Sequence, residues 1–370
     1  MEGKQKKIKI AFVHSKCKQF RVETFEALQE IYDVDFYFTD SVVSTLRNKT
    51  ELRSIKIPFM SDFHYVPELR KELEKKEYDI YVSTDLGYHI TYITYSIAKK
   101  KGKKFILWNE QWKNILHPRR LLITYLLENR ILRNSDAILA FGKKAIDFSI
   151  ARGGNKKKII HTPNIVPKLE IRLKKEPKNT SNNKTILCIA RLIPFKGQDF
   201  LIKAFKKVTE DRNDVKLIVA GEGPRYNKLR SLIKELGLED SVELTGEIVK
   251  NDQKWDLLNE CDIFVLPSVY RRTPEAWGLV VNEAAMMEKP IITTNMTGVD
   301  GEVVRHKVSG LIVKEKDIEE LANSITSLLN NPELAQEYAT RAKEIVEKEY
   351  NLEKVLNSFD KAVNTALFNE

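Results

Sequence analysis

Cysteine is scarce in this chain. There are three among 370 residues, Cys17, Cys188 and Cys261, far apart and odd in number. That excludes a disulfide framework and a Cys-based zinc site, and it fits a reducing compartment such as the cytoplasm. Long hydrophobic runs are missing as well. The longest clear one, Leu121 to Leu127 (LLITYLL), has seven residues, against the roughly 18 of a membrane-spanning helix. The start, MEGKQKKIKIAFVHS, is apolar only from Ile8 to Val13, with no small-residue cleavage site behind it. It does not read as a signal peptide. Hydrophobic residues at 42% and charged residues at 31% make an ordinary globular mixture, which argues against global disorder. At roughly 100–200 residues per domain, the length suggests two domains.

Acidic residues are the other local shortage. The chain carries a net +10. Residues 1–98 hold 15 basic and 15 acidic side chains, and residues 161–370 hold 31 and 33. Residues 99–160 hold 16 basic against 4 acidic, a net of +12. The whole surplus sits in one stretch of sixty-odd residues, and such asymmetry bears on partners.

Short apolar runs alternate with amphipathic stretches. IKIAFVH (8–14), VDFYF (34–38), YDIYVST (78–84), KFILWN (104–109) and DAILAFG (136–142) read as strands, and RVETFEALQEI (21–31) as a helix. This pattern argues for a parallel sheet covered by helices. It stops in PNIVPKLEIRLKKEPKNTSNNK, which reads as a linker. A second series follows, with strands at 185–190, 215–221, 242–246, 262–268, 290–295 and 309–313, and a mostly helical tail from Asp317. We therefore expect an α/β chain of two doubly wound parallel sheets facing a cleft. The expected boundaries are 1–165, a linker at 166–184, 185–349, and a last helix at 350–370. Ligands in such sheets sit at the carboxyl ends of the strands. No short internal repeat is found.

Three features at those strand ends carry chemistry. After DIFVLPS comes VYRRTPEAWGLVVNEAAMMEKPIITT, with Glu275 and Glu283 eight positions apart. Gly278, Leu279 and Val280 read as the start of a helix running through Met287, leaving backbone N–H groups open to an anion. Glu283 is placed to accept from a ribose diol and Glu275 to face a sugar hydroxyl. The plain alternatives are a solvated loop residue and a surface helix residue. In ARLIPFKGQD, Arg191 and Lys196 follow a buried strand, where they would stabilise a departing diphosphate. Each would otherwise be an ordinary solvated cation. AGEGP (220–224) fails as a dinucleotide fingerprint because Pro224 ends the match. Gly221 and Gly223 there read as a tight turn near a ligand, and Gly246 to Ile248 as a similar strand-end turn.

Together these residues resemble the retaining nucleotide-sugar glycosyltransferases of family 4, which have the two-Rossmann GT-B fold. The resemblance is strongest from Ile186 to Val313. The family's two glutamates around F/W-G-L-V stand here as Glu275-Ala-Trp-Gly-Leu-Val-Val-Asn-Glu283. The resemblance implies that Glu275 contacts the donor sugar and Glu283 the ribose. It implies that Gly278, Leu279 and Val280 meet the diphosphate and that Arg191 and Lys196 neutralise it. Gly246 and Ile248 would border the nucleobase, and the tail beyond about Tyr350 would return to the N-terminal domain.

The first half matches less closely. The Gly-Gly loop of many family members is replaced by HSKCKQFRVETF, where Arg21 resembles a related form. No histidine stands clearly in the place from which many members face the reacting sugar. Glu110, in WNEQW (108–112), is the candidate for the acceptor-facing polar group, with His14 and His117 as rivals.

The implied reaction moves a hexose-type sugar from a nucleoside diphosphate to a hydroxyl of a glycan or lipid-linked acceptor, with retention. No cofactor and no essential divalent metal are expected. Asp33-Val-Asp35 has the spelling of a D-x-D metal motif, yet it lies on an apolar alternating strand and reads as strand chemistry. In the basic stretch, cations stand beside Trp108, Trp112 and leucine-rich segments. They suit an anionic membrane surface, so a peripheral place on the cytoplasmic face is expected. The plain alternative is a solvated charge run over a buried helix. Nucleic acid is not expected, for lack of any nucleic-acid motif. Two other functions stay open: a nucleotide-sugar epimerase, and a non-catalytic sugar-nucleotide or membrane-binding module.

Overall fold

The computed structural model describes residues 7–39, 45–56, 64–114, 122–167, 183–247, 251–271 and 273–368. The chain divides into two compact units. One is Met1–Pro167 with Leu352–Glu370, and the other is Lys168–Asn351.

The first unit holds strands β1 (Lys9–His14), β2 (Asp33–Phe38), β3 (Lys49–Glu51), β4 (Ile55–Lys56), β5 (His64–Tyr65), β6 (Ile80–Thr84), β7 (Lys104–Asn109), β8 (Ala137–Phe141) and β9 (Ile159–Thr162). Seven of them form a parallel sheet in the order β3-β2-β1-β6-β7-β8-β9, and β4 and β5 form a small antiparallel pair. Helices α1 (Gln19–Ile31), α2 (Leu69–Glu74), α3 (His89–Lys100), α4 (Leu122–Asn134) and α5 (Lys143–Ala151) connect them. The central strands are buried on both faces, which is why they read as unbroken apolar runs.

The second unit has β10 (Lys184–Ile189), β11 (Val215–Ala220), β12 (Val242–Leu244), β13 (Ile263–Leu266), β14 (Ile291–Thr294) and β15 (Leu311–Val313). They form one parallel sheet, β12-β11-β10-β13-β14-β15. Helices α6 (Gln198–Asp211), α7 (Tyr226–Glu235), α8 (Asn251–Glu260), α9 (Val280–Met286), α10 (Ile318–Asn330) and α11 (Pro332–Glu349) cover it. Both sheets are Rossmann-like, as the alternating pattern implies. Strand order reverses at β1/β6 in the first unit and at β10/β13 in the second. Ligands of open α/β sheets bind outside the carboxyl ends of such neighbours.

The last helix, α12 (Leu352–Phe368), belongs to the first unit. Phe359, Ala362, Val363 and Ala366 are buried in that unit's core, and the Phe359 ring stacks 6.1 Å from Phe12 on β1. The Tyr32 hydroxyl donates to Asp360 at 2.8 Å. A segment distant in sequence therefore completes the first core.

One local expectation is corrected, and the reading of Asp33 and Asp35 as strand residues holds. The helix expected from Gly278 through Met287 is shorter, Val280–Met286. Gly278 and Leu279 precede it in a tight turn whose carbonyls accept from Val281 (2.8 Å) and Asn282 (2.9 Å). Asp33 and Asp35 lie on β2, where Asp35 accepts from Lys76 at 2.8 Å and from the Tyr78 hydroxyl at 2.6 Å. The linker lies mostly outside the described residues, as do His117 and Ile248.

Candidate active site

In the second unit, the loops leaving β10, β11, β12 and β13 are stitched to one another. The Leu192 amide donates to Glu222 O at 2.7 Å, Arg225 N to Leu192 O at 3.0 Å, and Val269 N to Phe195 O at 2.8 Å. Gly221 N donates to Thr245 Oγ1 at 3.3 Å. This closeness accounts for Gly221. A Cβ there would lie 2.0 Å from the Ala190 carbonyl oxygen, at a φ of +149°. The expected turn near a ligand is thus first a close approach of two backbones. Gly223 packs likewise on Leu192, and Gly246 faces the Tyr226 ring.

Lys196 closes a 3-10 turn, Pro194–Lys196, after β10. Its ammonium donates to Glu275 Oε2, which also accepts from the Ser268 hydroxyl at 3.2 Å. Both side chains are largely buried, Lys196 at 11% and Glu275 at 12% exposure. Glu275 is therefore not a solvated loop residue. It is anchored by its amide to Met296 O at 3.3 Å and by a bridge to Thr297. Arg191 is exposed, and its side chain makes no hydrogen bond or ion pair among the described residues. Its carbonyl accepts from Gln198 Nε2 at 2.9 Å, which fixes the backbone beneath the free guanidinium.

Gly278 has a φ of +98°, and a Cβ on it would lie 2.6 Å from Leu266 Cδ2 and 3.6 Å from Glu275 Cγ. Only glycine takes this turn easily. The N–H groups of Gly278, Leu279 and Val280 have no acceptor among the described residues. A row of open backbone donors is the kind of place where an anion binds. Glu283, one turn into α9, is buried rather than on a surface, and its Oε1 accepts from Lys254 Nζ on α8 at 2.6 Å. Trp277 between the two glutamates is buried. Its indole donates to Asn282 Oδ1 at 2.9 Å, and its ring lies 5.7 Å from that of Tyr350.

The first unit carries a second polar cluster, at the carboxyl ends of β1, β6 and β7. Arg21 on α1 is 3% exposed, and its guanidinium lies 5.0 Å from the Trp108 and Phe141 ring centroids. It donates to Glu110 Oε1, which also accepts from Trp108 Nε1 at 3.3 Å. The Glu110 amide donates to Asp85 Oδ1 at 2.7 Å. Burial, then the Glu110 charge, pushes the Asp85 carboxyl up to about 7. Burial, then Arg21 and Lys18, pushes the His14 imidazole down to about 3, so it is neutral at pH 7. Glu110 and His14 are thus parts of one assembly around a buried cation.

Asp85 and Lys254 were not singled out by the sequence reading. Asp85 follows the strand IYVST directly, the same strand-then-polar grammar that marked Arg191. Lys254 had no signal, since its partner Glu283 is brought to it only by the packing of α8 and α9. Among the described residues, no group of three or more His, Cys, Asp or Glu is arranged to hold a metal ion. No helix of the described residues is long and apolar enough to cross a membrane.

Comparison with known proteins bears on both units. Over 97% of this chain and 100% of the other, the structure of Anabaena Alr3699/HepE in complex with UDP-glucose matches with a TM-score of 0.77 at 17% identity. The glycosyltransferase of Rickettsia africae matches over 99% of this chain and 100% of its own, with a TM-score of 0.78 at 20% identity. Likeness at this identity speaks for the fold, which is GT-B. In sequence, an uncharacterized glycosyltransferase of Haemophilus influenzae is 30% identical over 177 residues, 48% of this chain and 48% of that protein. The poly(ribitol-phosphate) alpha-N-acetylglucosaminyltransferase of Staphylococcus aureus is 27% identical over 189 residues, 51% of this chain and 37% of that protein. The chain thus spans about half, or less, of the curated relatives it matches. Residues 170–345, the stretch that holds Arg191, Lys196, Glu275 and Glu283, match the family described as glycosyl transferases group 1.

Proposed function

We propose that this protein is a retaining glycosyltransferase. It moves a hexose-type sugar from a nucleoside diphosphate to a hydroxyl of a glycan or lipid-linked acceptor, without an essential divalent metal. The observation that carries this reading is the row of open N–H groups at Gly278, Leu279 and Val280, which begins three positions after a glutamate that is itself paired with Lys196. That arrangement fits a diphosphate with a sugar hydroxyl at its edge. The similarity to glycosyl transferases group 1 and to the fold of a protein crystallised with UDP-glucose supports it.

The chemistry follows from charge. Negative charge develops on the leaving diphosphate as the sugar bond breaks. The free Arg191 guanidinium, the Lys196 ammonium and the three N–H groups are preorganised donors for it, the kind of stabilisation that dominates such steps. They would do the work that a metal does in other transferases. Lys196, held between Glu275 and a phosphate, would fix the donor sugar and its leaving group together. Glu110 and Asp85 would face the acceptor. We also propose that the basic stretch at residues 99–160 docks on an anionic membrane surface. Tyr125, Leu126 and Leu127 on α4 expose 42%, 57% and 40% of their surface within it.

Purified protein incubated with UDP-, GDP- and ADP-sugars tests the reading. Release of nucleoside diphosphate, persisting in excess EDTA, is the expected result. An epimerase would convert the sugar without release, and a binding module would do neither.

A further inference from the structure

Asp85 follows β6 and has a φ of +53°, in the left-handed region that glycine takes without strain and other residues seldom take. Three contacts hold it there. Its amide donates to Trp108 O at 2.7 Å, its carbonyl accepts from the buried Thr91 hydroxyl at 2.8 Å, and its Oδ1 accepts from the Glu110 amide at 2.7 Å. An asparagine would make all three, enter the left-handed region as readily and carry no charge. What only the carboxylate adds is a second acceptor oxygen. That oxygen, Oδ2, has no partner among the described residues.

It has open neighbours. Glu110 follows β7, the strand beside β6. Its Oε1 accepts from Arg21 and Trp108, while Oε2 has no partner among the described residues. Arg21 is only 3% exposed, yet it gives Glu110 one of its N–H groups and leaves Nε and Nη1 without an acceptor among the described residues. A buried guanidinium with unmet donors thus shares one cluster with two carboxylates that have unmet acceptors. An anion would meet repulsion from the carboxylates, and a cation would meet it from Arg21. Neutral hydroxyls, each a donor and an acceptor, suit both. We propose that Asp85 is a specificity-determining residue for the acceptor, its Oδ2 accepting a hydrogen bond from a hydroxyl of a neutral sugar. This rests on the glycosyltransferase reading above and adds the chemical class of the acceptor group. Asp85 binds here and moves no proton.

The full chain is incubated with UDP-, GDP- and ADP-sugars, alone and with methyl glucoside, methyl galactoside or methyl mannoside, and release of nucleoside diphosphate is followed. In wild type at least one hexoside should raise release above the rate with water alone. Asp85→Asn should lower that stimulated rate about tenfold or more, as loss of one hydrogen bond to a charged group implies. Release to water and the affinity for the nucleoside diphosphate, read by calorimetry, should hold. Its melting temperature at pH 8 should hold or rise, because the Glu110 contact stays and a charge is removed. Asp85→Gly, which relieves the backbone, should lose the same stimulation. Unchanged stimulation in both folded variants would overturn the proposal. So would a fall of nucleotide affinity along with the rate, a lower melt of Asp85→Asn, or a wild type that releases to water and responds to no hexoside. A wild type that neither binds nor turns over any donor would instead sink the underlying reading, and the proposal with it.

Discussion

Lys196 and Glu275 stand 79 positions apart in the chain and form an ion pair at the point where strand order reverses in the second sheet. Each comes from the loop after one of two adjacent strands, β10 and β13. The pairing therefore follows from topology rather than from local sequence.

Arg191→Ala and Lys196→Ala should each lower the rate of sugar transfer by ~10²–10³, the cost of removing a preorganised donor. Their stabilities should differ. Arg191 is exposed and has no partner among the described residues, so its loss should leave the melting temperature unchanged. Lys196→Ala leaves the largely buried Glu275 without its cation, and the melt should fall measurably. Steady-state kinetics beside thermal melts would separate the two, and near-normal turnover in both variants would discard the assignment.

Gly221→Ala should be destabilising out of proportion to one methyl. The new Cβ would lie 2.0 Å from the Ala190 carbonyl oxygen, so the two loops must part. Overpacking of this kind costs about 1–3 kcal/mol. Urea denaturation would read it, and a Gly237→Ala control, where a Cβ meets nothing within 4 Å, should cost less.

Tyr350→Phe should cost ~1.5–3 kcal/mol, the range for a hydrogen bond to a charged group. The Tyr350 hydroxyl donates to Glu302 Oε2, and burial, helped by Glu302, pushes the phenol well above its usual range. The Tyr350 ring also backs Trp277, and phenylalanine keeps that ring contact, so the Michaelis constant for the donor should change little. A variant that melts normally would show that the hydroxyl adds nothing.

Asp85 and His14 should shape the pH dependence of stability in opposite senses. Asp85 has its folded value raised from 3.8 to about 7. The folded state then binds the extra proton between those values, and stability from this group is lost as pH rises through 7. His14 has its folded value lowered from 6.5 to about 3. The unfolded state binds the extra proton below 6.5, and stability from this group is lost as pH falls. Asp85→Asn should therefore make the melting temperature drop more steeply on acidification from pH 7 to 4. His14→Gln should make it drop less steeply below 6.5. Parallel profiles for wild type and both variants would refute the pair of assignments.

Membrane docking is tested with vesicles. The chain should sediment with anionic liposomes and stay in solution with neutral ones, and Leu126→Glu should weaken the association. Each cation near such a surface contributes about 1 kcal/mol, so raised salt should release the protein. Equal recovery in the supernatant with both lipids would reject docking.

The sequence alone determined the two Rossmann-like sheets. Buried parallel strands must be apolar along their whole length, and short apolar runs such as AILAF on β8 announce themselves. Polar residues directly behind those runs, Arg191 and Glu110 among them, were legible for the same reason. The tertiary structure decided which polar groups become partners. The Lys196–Glu275, Lys254–Glu283 and Arg21–Glu110 pairs each join separate elements, and no local pattern encodes such a meeting. It decided too that Gly221 answers to the Ala190 carbonyl and Phe359 to the ring of Phe12, because close approach between distant segments is fixed by how the layers pack, after each segment has already chosen its own shape.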